Sequence, residues 1–224
     1  MIRAVLFDLD DTLIDRRLAL DAYTPRFMTA FSDRLDTDDP AQVMAELGRA
    51  DRNGYNPERA ADIVHLAIWR SAPTAAEVAL HWSEHFPACA VRRQGARETI
   101  AKLRDAKFRL GVVSNGGAAE QRTKLAVTSL QSAFDVIVIS DEVGVKKPDP
   151  RIFALASASL GVGPEECLFV GDNPIKDVRA ARDFGMSAAW FRASLVWPEG
   201  LPRAEHELES LGEVCKIVLT VTAR

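Results

Sequence analysis

Short apolar runs alternate with longer stretches of three-and-four spacing over most of this chain. The runs fall at 2–7, 110–113, 136–139, 167–170 and 188–191, and each has the look of a buried strand. Between the later runs lie helical patterns at about 98–106, 118–130, 150–160 and 174–184. Gly161 and Gly185 stand where a helix C-terminal glycine would. Strands alternating with helices of this length predict an α/β fold, a Rossmann-like parallel sheet with helices on both faces. In such sheets ligands bind outside the carboxyl ends of the strands.

The stretch 15–92 breaks the alternation and reads as wholly helical. Leu20, Tyr23, Phe27, Phe31 and Leu35 recur at spacings of three and four. Asp39-Pro40 and Asn56-Pro57 each read as a cap plus a first helical residue. Thr74 to Glu77 is a capping box. The expected organisation is therefore a core of residues 1–14 and 93–224, with a small all-helical domain, 15–92, inserted after the first strand. The tail from Ala204 to Arg224 is expected to add one more helix, with Leu208, Leu211, Val214 and Val218 as its buried stripe.

Composition narrows the classes. A chain of 224 residues with 47% hydrophobic content can bury a full core. A net charge of −4 gives no support for a nucleic-acid or membrane-surface partner. Cys89, Cys167 and Cys215 show neither metal-ligand spacing nor an even disulfide framework. No apolar stretch approaches a membrane span, and the opening residues carry no signal-peptide pattern. A cytoplasmic protein is expected.

The chemistry starts at V-L-F-D-L-D-D-T-L-I-D, residues 5–15. Asp8 and Asp10 are two apart at the end of the first run, and on extended chain such side chains point the same way. Two carboxylates facing one small volume repel and raise each other's pKa unless a cation or a reaction needs them. Three more segments end up near the same strand ends. L-G-V-V-S-N-G-G, 110–117, ends in a hydroxyl, an amide and glycines before a helical pattern. Backbone N–H groups at such a turn bind phosphate oxygens. G-V-K-K-P-D-P, 144–150, offers a lysine in a stiff proline frame, and L-F-V-G-D-N-P-I-K-D-V, 168–178, ends a run in Gly-Asp with a further acid at Asp177. Taken singly, each is an ordinary turn or helix cap.

In this order and spacing the four segments resemble the motifs of the haloacid dehalogenase-like (HAD) hydrolase superfamily, from Ile2 to about Leu219. The insert is similar to the helical C1-type cap of that superfamily, which closes over the site and excludes water. The resemblance implies that Asp8 is the nucleophile, forming an aspartyl-phosphate. It implies that Asp10 is the general acid and base and lends its backbone carbonyl to a metal. Ser114 matches the phosphate binder, followed by Asn115 and Gly116. Lys147 matches the charge-neutralising lysine, with Lys146 a solvated neighbour. Asp172 matches the metal ligand and Asp177 the supporting second acid. The oxygen donors Asp8, Asp172 and the Asp10 carbonyl suit a hard ion, Mg²⁺.

One residue separates the branches. Dehalogenases of this type resemble D-x-Y-G-T at the first motif, with no acid two residues after the nucleophile. Here that position is Asp10, so a phosphatase acting on a small phosphorylated metabolite is expected. A phosphomutase similar to β-phosphoglucomutase shares the same motifs and stays open. A dehalogenase or a non-catalytic binding member is disfavoured, as is a phosphonatase, because 15–92 contains no lysine. Candidate substrate contacts in the insert are His65, Trp69, His81, Trp82 and His85, with Arg16 and Arg17 at its start; the tryptophans read more simply as bundle packing and His81 with His85 as a partly exposed pair. The stretch 115–125 looks like the corresponding helix of nucleotidase-like and sugar-phosphate phosphatase members.

Overall fold

The computed structural model describes residues 1–54 and 56–220. They form two compact units: Asp15–Val91, and residues 1–14 together with the described residues from Arg92 onward. The chain enters the second of these through β1, Ala4–Phe7, every residue of which is buried.

The unit Asp15–Val91 holds α1 (Arg16–Ala30), α2 (Pro40–Asp51), α3 (Arg59–Val64) and α4 (Ala75–His85). Its helix starts are set by side chains that satisfy open N–H groups. Asp15 accepts from Leu18 N–H at 3.1 Å, Asp39 from Ala41 N–H at 2.9 Å, and Thr74 with Glu77 forms the full capping box. Asn56 differs from expectation. Its Oδ1 accepts from Glu58 N–H at 3.0 Å, but this closes a turn, and α3 starts only at Arg59. Ala19, Leu20, Tyr23 and Phe27 form the buried stripe of α1; Phe31 caps the helix and Leu35 lies beyond it, still buried. The two tryptophans pack this unit's core. Trp82 stacks on Phe86 at 4.4 Å, and Trp69 lies against Phe27 and Phe31 with its indole N–H on Ile63 O at 2.8 Å. Arg16 is buried against Asp51, with Nε at 2.7 Å, whereas Arg17 is exposed.

The other unit continues with α5 (Ala96–Asp105), β2 (Arg109–Ser114), α6 (Ala118–Val127), β3 (Val136–Ile139), α7 (Ser140–Val143), α8 (Pro150–Leu160) and β4 (Cys167–Gly171). A π-helical turn, Pro174–Arg179, runs into α9 (Ala180–Asp183), followed by β5 (Ser187–Phe191), β6 (His206–Leu208) and α10 (Glu213–Thr220). The strand order is β3-β2-β1-β4-β5-β6, all parallel. The connections leave β1 in opposite directions, which puts the ligand crevice at its carboxyl end. One face of the sheet packs Leu6, Val113, Phe169 and Ala188 against Ile152, Phe153, Val178 and Ala181.

In this unit three elements depart from the sequence reading. The tail is not one helix. Residues 206–208 add a parallel edge strand in which Leu208 pairs with Phe191 and is buried, and only α10 is helical, with Val214 and Val218 buried. The end of the expected helix, 221–224, lies outside the described residues. The pattern at 118–130 stops at Val127, because Ser129 takes φ 56° and Leu130 N–H turns back onto Leu125 O at 2.8 Å. The pattern at 174–184 begins as a wider π turn, with Asn173 Oδ1 capping the N–H groups of Ile175 and Lys176.

Candidate active site

The carboxyl ends of β1, β2 and β4 carry Asp8, Ser114 and Asp172. Asp8 follows β1 directly, and its N–H prolongs the ladder to Val170 O at 2.9 Å. Opposite it stands Lys147, in the loop between α7 and α8. Its Nζ donates to Asp8 Oδ1 at 2.5 Å and lies 2.7 Å from Asp177 Oδ1. All three side chains are buried. The lysine's backbone is held from β2's side: Asn115 Nδ2 donates to Lys147 O at 2.9 Å, and Lys147 N–H donates to Asn115 Oδ1 at 2.8 Å. The Asn115 amide, expected at the phosphate, is thus occupied in placing the lysine.

Asp177 comes from the π turn, where its Oδ2 accepts from Asn173 N–H at 2.9 Å. Gly171 leaves room for it, since a Cβ there would meet Asp177 atoms at 2.5 Å. Asp172 is fully buried, and its backbone carbonyl accepts from Trp190 Nε1–H at 2.8 Å. Neither of its carboxylate oxygens has a hydrogen-bond partner among the described residues. One oxygen each from Asp8, Asp172 and Asp177 falls within 4.8 Å of the others.

Three acids meet here; the Lys147 ammonium bridges Asp8 and Asp177, and the half-buried Lys176 acts on Asp177 and Asp172 from further off. Burial pushes Asp8 up to about 7; the Lys147 charge opposes that, and the Asp177 and Asp10 charges add to it. Burial likewise drives Asp172 well above its ordinary 3.8, with Asp177, Asp8 and Asp11 reinforcing it. Burial works against the charge of Lys147, but Asp177 and Asp8 outweigh it and hold its pKa above the ordinary value. Buried carboxylate oxygens without a donor, in an all-oxygen group, fit a hard divalent cation. Asp172, neither of whose carboxylate oxygens has a hydrogen-bond partner among the described residues, and Asp8 could hold such an ion.

The Asp10 carboxyl group is outside the oxygen cluster of Asp8, Asp172 and Asp177, though its charge still acts on Asp8. β1 ends at Phe7, so the strand rule of alternate side chains stops there, and Asp10 turns toward α6. Its oxygens receive Lys124 Nζ at 2.9 and 2.8 Å, and Oδ2 also receives Gln121 Nε2 at 3.0 Å. The same amide donates to Ser114 Oγ at 2.6 Å. Sequence reasoning missed Gln121 and Lys124. The available signal was two polar residues three apart on the face of α6 that also buries Leu125. It also missed Arg93, which donates to the carbonyls of Asp11 and Thr12 at 3.0 Å and so pins the turn carrying Asp10. The amides expected to cradle phosphate at the start of α6 are partly in use: Gly116 N–H donates to Ser140 Oγ at 3.1 Å and Ala118 N–H to Asp141 Oδ2 at 3.0 Å. Lys146 is exposed, whereas Lys147 is buried.

His81 and His85 belong to the helical unit. His81 Nδ1 lies 2.7 Å from the Tyr23 hydroxyl, the two imidazoles are in ring contact at 4.4 Å, and both are half-buried.

Comparison with known proteins bears on the family. The chain is 36% identical over 198 residues to the glyceraldehyde 3-phosphate phosphatase of Methanopyrus kandleri, covering 83% of this chain and 82% of that protein. It is 41% identical over 124 residues to the phosphoserine phosphatase of Thermus thermophilus, covering 55% and 49% of the two chains. The structure of the L-2-haloacid dehalogenase from Xanthobacter autotrophicus superposes with a TM-score of 0.74 at 21% identity, covering 98% and 99%, a likeness of fold. Residues 2–185 match the family model described as haloacid dehalogenase-like hydrolase. Asp8, Ser114, Lys147 and Asp172 fall inside that match, and the chain belongs to the haloacid dehalogenase-like hydrolases.

Proposed function

We propose that the protein is a Mg²⁺-dependent phosphatase that hydrolyses a small phosphomonoester through an aspartyl-phosphate on Asp8. The observation that carries this reading is the buried Asp8–Lys147–Asp177 array beside the open carboxylate of Asp172. A fold shared with a dehalogenase does not choose the chemistry; the site does. Asp10, held by side chains two residues past Asp8, supplies a proton carrier that an alkoxide leaving group needs and a halide does not.

In the first step an Asp8 oxygen attacks phosphorus while the ester P–O bond breaks, and Asp10 gives its proton to the departing oxygen. In the second, water attacks the phosphorus of the acyl phosphate, Asp10 takes the water's proton, and inorganic phosphate leaves Asp8 as a free carboxylate. Lys147 neutralises charge on the phosphoryl oxygens, and the Ser114 hydroxyl holds one of them. A Mg²⁺ ion on Asp8, Asp172 and the Asp10 carbonyl would offset repulsion between the carboxylates and the phosphate dianion.

Relatives named for glyceraldehyde 3-phosphate and phosphoserine support a small phosphorylated metabolite as substrate. Such anions do not cross a bilayer unaided, and we place the enzyme with them in the cytoplasm. Among the described residues, no helix is long and apolar enough to cross a membrane. The test is phosphate release from a panel of phosphomonoesters that includes those two compounds, with and without Mg²⁺, on wild type and Asp8→Asn. Release that requires Mg²⁺ and vanishes in the variant supports the reading. Substantial Mg²⁺-dependent release by Asp8→Asn sinks it.

A further inference from the structure

We propose that Lys124 and Gln121 are positioning residues that aim Asp10 at the leaving group, an assignment that rests on the phosphatase reading above. Both lie on α6, three residues apart and therefore on one face, and both are buried. Burying an ammonium is costly unless it is paired and hydrogen-bonded. Lys124 is 4% exposed, and its Nζ meets both Asp10 oxygens, at 2.9 and 2.8 Å. A single-oxygen contact would let the carboxyl group rotate. The two-oxygen contact anchors the group at α6, and the Gln121 amide on Oδ2 alone makes the two oxygens inequivalent.

Gln121 adds a second constraint. Its Nε2 lies within reach of three acceptors: Ser114 Oγ at 2.6 Å, Asp10 Oδ2 at 3.0 Å and Asn115 O at 3.2 Å. An amide has two N–H bonds, so it is shared among the three. One side chain thereby ties the hydroxyl that would hold the phosphoryl group to the carboxylate that would serve the leaving oxygen. Gln121 Oε1 has no partner among the described residues, so the Nε2 contacts are what place this side chain. Gly116 keeps the space it occupies: at φ 150°, a Cβ there would come within 3.0 Å of the Gln121 amide carbon.

The plain alternative is an ion pair that only fastens α6 to the first loop. That helix has other fastenings, at Ala118 N–H on Asp141 and through buried Leu125. The two accounts differ in what they do to leaving-group dependence. A residue acting through Asp10 matters most where the departing oxygen needs a proton. A structural fastener acts equally on all substrates.

The experiment compares kcat/KM for p-nitrophenyl phosphate, whose phenolate leaves unaided, with that for glycerol phosphate, whose alkoxide does not. Lys124→Met and Gln121→Met are expected to lose at least about tenfold more on glycerol phosphate than on p-nitrophenyl phosphate. In an Asp10→Asn background the same changes should add less than about threefold to that ratio, because the group they aim is gone. Lys124→Arg keeps a cation and should recover part of the ratio; it also carries the comparison if Lys124→Met does not fold, with Gln121→Met alongside it. Equal losses on both substrates, with Asp8→Asn inactive, overturn the positioning role and leave the phosphatase reading standing. No release by wild type, or full release by Asp8→Asn, overturns the phosphatase reading and this assignment with it.

Discussion

The Lys147 ammonium lies 2.5 Å from Asp8 Oδ1, and neither side chain is more than a tenth exposed. The same ammonium lies 2.7 Å from Asp177 Oδ1, so one cation serves two buried acids. Removing it leaves both charges buried without that partner. Lys147→Met is expected to lower the stability of the metal-free protein by about 3–5 kcal/mol. Turnover should fall by at least about a hundredfold, since the charge facing the phosphoryl oxygens goes with it. Thermal melts and phosphate release measure the two effects. A variant with wild-type stability would show that the contact contributes nothing to the fold.

Gly171 is constrained by close approach. A Cβ at this position would lie 2.5 Å from Asp177 Cβ and Cγ, atoms that Lys147 and Asn173 hold in place. Gly171→Ala is expected to displace Asp177, destabilise the protein by about 1–3 kcal/mol and reduce kcat more than KM. Wild-type kinetics in this variant would mean that the π turn gives way freely.

Cation binding and protons compete at the carboxylate cluster. Burial lifts Asp8 to about 7, above its ordinary 3.8, so in the metal-free protein its contribution to stability is complete below 3.8 and is lost as pH rises through about 7. A divalent ion restores what is lost by binding the ionised form. At about a hundredfold excess over Kd, Mg²⁺ should raise Tm by about 5–10 °C. The increment should be larger at about pH 8 than at about pH 6. Differential scanning calorimetry with and without Mg²⁺ at the two pH values checks this, and an increment that shrinks as pH rises contradicts it. Asp172→Asn should reduce the increment.

In the helical unit Asp51 receives Arg16 Nε at 2.7 Å, Arg16 Nη2 at 2.8 Å and Arg59 at 3.1 Å. Burial raises the Asp51 pKa, but Arg16 and Arg59 outweigh it and hold the carboxyl below its usual 3.8. A depressed folded value means that the pair's contribution is complete above 3.8 and disappears as pH falls through the folded pKa. Asp51→Asn should cost about 3–5 kcal/mol at neutral pH. The gap to wild type should close below about pH 4. Urea midpoints across that range test both the size and the sign.

Much of the α/β architecture was legible because buried parallel strands are continuous apolar runs, and β1, β3 and β4 show this plainly. Helix starts were legible where one side chain caps its own backbone, as at Asp39 and Thr74. β6 was not. A three-residue edge strand exists only because Phe191 and Leu208 meet, and 208 carries no local mark of that pairing. The turn at Asn56 and the π turn at Pro174 likewise depend on which backbone groups find partners.

At the site, spacing alone determined which residues end the strands: Asp8, Ser114 and Asp172, each at or just past an apolar run, with Lys147 in a proline-framed loop. Tertiary structure decided what those residues touch. Lys147 became the shared counter-ion of Asp8 and Asp177 because the loops after β2 and β3 meet through Asn115. Asp10 found its counter-ion in Lys124, 114 residues away. Periodicity records which face of an element is apolar, since burial is a property of the residue and its neighbours along one helix or strand. Pairing of charges across elements has no such local record, because a buried ion finds its partner only once the sheet order has brought two distant segments to one edge.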